Sequence, residues 1–71
     1  MNFENIGSAV MMIYDELKND KASKKLIKKI DAAKSDDQIK EGLREGVKRI
    51  RELGKTTLAD DIEAKTKGFA F

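Results

Sequence analysis

Seventy-one residues with a formal net charge of +2, 39% apolar and 39% charged, make one small domain at most, with too little core to supply much net stability alone. The chain has no cysteine and no histidine, which excludes disulfides and the usual zinc sites as staples. Tight helix packing, self-association or a partner remain.

Proline is absent, so element boundaries are read from caps and glycines. Asn2 is placed to cap a first helix whose apolar residues Phe3, Ile6, Val10, Ile13 and Leu17 recur at spacings of three and four on one face. After the polar break "KND", Asp20 is an N-cap candidate for a second helix. In it Ala22, Leu26, Ile30 and Ala33 share a face, with Ile27 at the edge.

"SDDQ" then has capping-box spacing: the Ser35 hydroxyl accepts from the backbone three residues on, and Gln38 reaches back. The third helix carries Ile39, Leu43, Val47, Ile50 and Leu53 on its apolar face. Asp36 and Asp37 sit at the positive end of its dipole, and Gly54 stops it. Thr57 and Asp60 again have capping-box spacing and open a short fourth helix with Leu58, Ala59 and Ile62.

No stretch alternates apolar and polar residues, so the expected fold is all-α, a small three- or four-helix antiparallel bundle. One helical domain over residues 1–67 is expected, with a C-terminal tail over 68–71.

Gly42 and Gly46 are costly in the middle of a helix, about 1 kcal/mol each relative to alanine. Four apart on a flank of the apolar stripe, they form a shallow groove. Its favoured occupant is the first helix of the same chain, through Phe3 or Tyr14; the alternative is a second copy or a partner. Gly7 is a further costly residue, beside the first helix's apolar face. Met11 lies on the polar side of that helix, and methionine suits adaptable contact surfaces. Phe69 and Phe71 follow Gly68, where the helical pattern has ended. They either cap the end of the bundle or dock into a partner.

Charge is segregated. Residues 18–34 carry seven lysines against two aspartates, a net of +5, while residues 1–17 carry −3. Lys21, Lys24, Lys25 and Lys28 form a ridge opposite Leu26 and Ile30, and a ridge of like charges is either a solvated face or a site for an anion. Lysine without arginine favours diffuse attraction to phosphates over base reading. The second helix has no aromatic residue on which a base would stack.

Several motifs mislead. "GKTTL" ends like a phosphate-binding loop, but Arg49 stands where that motif needs its first glycine, and a charged helix precedes it instead of a strand. "LADDIEAKTKG" looks like part of a helix-turn-helix, yet Glu63 occupies the turn glycine's place and no second reading helix follows. Asp60, Asp61 and Glu63 lack the loop and glycine of a calcium site, and are expected in a solvated face or partly neutralising the lysine ridge. Adjacent carboxylates such as Asp36 and Asp37 diverge on a helix, and there is no His or Cys to act as base or nucleophile.

The leading expectation is therefore a non-enzymatic helical protein-interaction module, self-associating or part of a larger complex. Its contacts would be Met11, Tyr14, Gly42, Gly46, Phe69 and Phe71. The alternative is a nucleic-acid-associated protein without sequence preference, using Lys21, Lys24, Lys25 and Lys28. No catalytic residue, metal site or cofactor is expected. The longest near-continuous apolar run, "AVMMIY", is too short for a transmembrane segment, and a cytoplasmic location is expected.

Overall fold

The apolar spacing of three and four produces four α-helices and no strand in the computed structural model, which describes residues 3–71. They are α1 (Phe3–Leu17), α2 (Lys24–Asp31), α3 (Asp36–Glu52) and α4 (Thr56–Lys65), with a 3-10 turn at Lys21–Ser23 leading into α2. The expected all-α bundle is what forms. Asn2, the expected cap of α1, lies outside the described residues.

The longest helix, α3, is the centre: it packs against α1, α2 and α4, and α1 also packs on α4. Ile13 and Leu17 of α1, Leu43, Val47 and Ile50 of α3, and Ala59 and Ile62 of α4 make one buried core. Phe3, read from its spacing as a core residue, is 84% exposed. Ile6, in the same turn of α1, is buried.

Two helix starts follow their sequence signals only in part. Ser35 accepts from the Gln38 amide at 3.3 Å, but Gln38 Oε1 takes the Lys34 amide at 2.6 Å, one residue earlier than expected. α4 opens at Thr56 with Lys55 at the cap position and no side-chain cap, so Thr57 lies inside the helix, and Asp60 accepts from Arg51 at 2.8 Å. Arg51 also meets Glu63 at 3.1 Å, so Asp60 and Glu63 serve an arginine of α3 and not the lysine ridge. Gly54 stops α3 as expected, at φ +82°, a left-handed conformation suited to glycine.

Asp20 works differently from a simple cap. Its carboxylate accepts from the buried Ser23 hydroxyl at 2.6 Å and from Arg49 Nε at 2.8 Å, while the backbone alone closes the turn. This ties the α1–α2 connection to α3. Arg49, then Ser23, lower the Asp20 pKa from 3.8 to about 2. A lowered carboxylate pKa gives stability that is present above the unfolded value and lost as pH falls through the folded one. Melting temperature should therefore fall between pH 3.8 and about 2 by more in the native chain than in Asp20→Asn. Parallel falls in the two would contradict this role for Asp20.

The tail belongs to the same core. Gly68 turns the chain at φ +87°, Ala70 is buried, and Arg44 Nε donates to the Ala70 carbonyl at 2.6 Å. Phe69 packs on the core, with Lys40 Nζ 5.2 Å from its ring centroid, whereas Phe71 is 44% exposed. Of the two rings, only Phe69 caps the bundle.

Candidate functional site

The glycine flank of α3 is filled from within the chain. A Cβ on Gly46 would lie 2.7 Å from Ile13 Cδ1 and 2.8 Å from its Cγ2, and one on Gly42 would lie 2.8 Å from Ile30 Cγ1. Both glycines are buried. Each accepts an isoleucine knob, one from α1 and one from α2, which offsets the helix-propensity cost of glycine. The occupant lies within the chain, but only Gly46 meets the expected first helix, through Ile13; Gly42 takes Ile30 of α2, and neither takes Phe3 or Tyr14. Gly42 and Gly46 are closed to a second chain in this fold.

The open surface is elsewhere. Phe3, Ile6, Gly7, Val10 and Met11 of α1 face Ile30, Ala33, Ile39 and Leu43 across a groove of about 490 Å³. Met11 is 57% exposed, and a Cβ at Gly7 would meet nothing within 4 Å. Large exposed apolar side chains gathered around one concavity differ from apolar residues scattered singly over a surface.

A second, separate depression lies beside the C-terminal end of α1. Tyr14 and Lys18 there lie beside Lys24, Ile27 and Lys28 around a depression of about 360 Å³. One turn of α1 separates Met11 from Tyr14, and one turn of α2 separates Ile30 from Ile27. Two neighbouring depressions thus follow each other along α1, the first apolar and the second carrying lysines.

The four ridge lysines are all exposed, but they do not share one environment. Lys24 and Lys28 face Tyr14, while Lys25 lies on the α3 side in a depression that includes Glu45 and Glu52. Lys29 is drawn inward by Glu41 at 2.6 Å and Glu45 at 3.1 Å, which hold its ammonium above the usual lysine range. Among the described residues, Lys21, Lys24, Lys25 and Lys28 have no ion-pair partner. Lys18 has only Asp15, at 3.9 Å.

Phe71 sits apart from all of this, in a shallow depression with Asp60, Glu63, Ala64 and Lys67. Among the described residues no group of three or more His, Cys, Asp or Glu side chains is placed to hold a metal ion, and no helix is long and apolar enough to cross a membrane. Of the expected contact residues, Met11 and Tyr14 line neighbouring depressions along α1; Phe69 and Phe71 line neither. Gly7 already stood out by its cost in a helix, but Phe3 and Val10 were not expected on an open surface, because their spacing marks a helix face without saying how far a neighbouring helix covers it. No family model, curated protein or solved structure matches the chain.

Proposed function

We propose that this protein is a non-enzymatic helical interaction module that docks a segment of a protein partner along its α1/α2 face. The observation that supports this best is the groove itself: about 490 Å³, almost wholly apolar in its lining, with Phe3 84% and Met11 57% exposed at its edge. A helix-in-groove contact uses such a concavity, with apolar anchors at spacings of three and four. Gly7 fits the same purpose, since its missing side chain leaves room where an approaching backbone would pass.

Selection of a displayed library of random peptides of about 16 residues, long enough as a helix to follow α1, provides the test. Peptides selected on the native chain should lose binding to Met11→Asp and to Phe3→Ser. Both variants should keep the native melting temperature to within a few degrees, since exposed substitutions change stability by about 0.5 kcal/mol or less. A large fall in melting temperature would assign these side chains to the fold. Selected peptides that bind both variants as well as the native chain would remove the docking face.

A further inference from the structure

The chemistry of the docked segment is set by the charge of the depression next to the apolar groove along α1. Between Phe3 and Lys18 the axis of α1 rises about 22 Å at 1.5 Å per residue. Over that length the lining changes from Phe3, Gly7 and Met11 to Tyr14 and Lys18, with Lys24 and Lys28 opposite. Like charges this close destabilise their own helix slightly. No acid among the described residues pairs with Lys24 or Lys28.

We infer that the partner segment is an acidic amphipathic helix, its carboxylates at Lys18, Lys24 and Lys28 and its apolar side chains in the groove between Phe3 and Ile30. This rests on the docking reading above and adds its charge and direction. Carboxylates are favoured in the first turn of a helix, where the dipole is positive, so the incoming helix starts at the lysine end and runs toward Phe3. Tyr14 stands between the two ends, its ring available to apolar contact and its hydroxyl to a polar one.

Two other occupants answer less of the surface. A phosphate backbone matches the lysines but leaves the apolar groove empty, and Tyr14 is the one aromatic side chain lining the cationic end. A second copy of this chain brings Glu4 and Asp15 on the corresponding side of its α1, and Asp15 already faces Lys18. An acidic partner helix satisfies both ends at once by charge and shape complementarity.

The selection described above decides this when its sequences are read and the best peptide is titrated by fluorescence anisotropy. Enriched peptides should carry clustered Asp or Glu followed by apolar residues three and four apart. The double variants Lys24→Glu/Lys28→Glu and Lys24→Gln/Lys28→Gln should each weaken the best peptide, the former by about tenfold or more, and added salt should weaken the native complex. Apolar peptides without acidic bias, or affinity indifferent to both double variants, would overturn the acidic partner while leaving the docking face intact. No enrichment that depends on Met11 would overturn both. Tighter binding of an oligothymidylate than of any selected peptide, lost in the same lysine variants, would give the ridge to nucleic acid. A dimer in sedimentation that Met11→Asp abolishes would give the groove to a second copy. Either result overturns the inference.

Discussion

Gly46→Leu is expected to destabilise the fold by about 3 kcal/mol, at the upper end for overpacking a core, despite the better helix propensity of leucine. The first added carbon already meets Ile13 at 2.7 and 2.8 Å, and Ile13 is fully buried. Its Cγ2 is fixed to a branched Cβ and cannot swing aside as the end of a long chain would. Such a loss is a large part of the total stability of a chain this small. Gly42→Leu should cost less, about 1 to 2 kcal/mol, because Ile30 is only partly buried at the end of α2 and has room to turn. Gly7→Ala should go the other way, raising the melting temperature by roughly 4 to 8 °C, since its site is open and alanine is worth about 1 kcal/mol in a helix. Thermal melts of the three variants check this order, and a Gly46→Leu melt at or above the native one would refute the packing of α1 on α3.

Deleting residues 68–71 should lower the melting temperature by about 10 to 20 °C, from a loss of about 2 to 4 kcal/mol. Ala70 is 2% exposed in the core, Phe69 covers its edge, and the Arg44 guanidinium loses the Ala70 carbonyl. Phe71→Ala alone should change little, because its ring is 44% exposed and packs beside the Asp60–Lys67 surface. Peptide binding by the α1/α2 face should survive Phe71→Ala unchanged. An unchanged melt after the deletion would mean that the tail is no part of the core.

Much of the bundle was legible because helix period and capping act locally. The face of α3, the Ser35 start and the Gly54 stop all rest on residues within a turn or two of each other. What failed to read was tertiary. Thr57 and Asp60 have capping-box spacing, yet Arg51 from the preceding helix takes the Asp60 carboxylate, and an ion pair across helices leaves no mark on local spacing. Asp20 is a helix-start residue by type, but Arg49, far along the chain, recruits it instead.

The glycines of α3 were recognisable as a contact by their cost alone, whereas the identity of the knobs was not, since Ile13 and Ile30 look like any other apolar residues. Phe3 and Ile6 occupy the same apolar pattern in the first turn of α1, yet Phe3 is exposed and Ile6 buried, a difference made by the neighbouring helices and not by spacing. Tyr14 reaches the lysines only through the α1–α2 packing, so an aromatic beside the ridge was invisible when each helix was considered separately.

The docking face is tested most directly by amide chemical-shift mapping of the full chain with the tightest selected peptide. Shifts should concentrate on residues 3–18, 24–33 and 39–43, follow saturation of a single site, and disappear in Met11→Asp. Shifts centred on α4 and residues 66–71, or spread evenly over the chain, would contradict the assignment of the α1/α2 face.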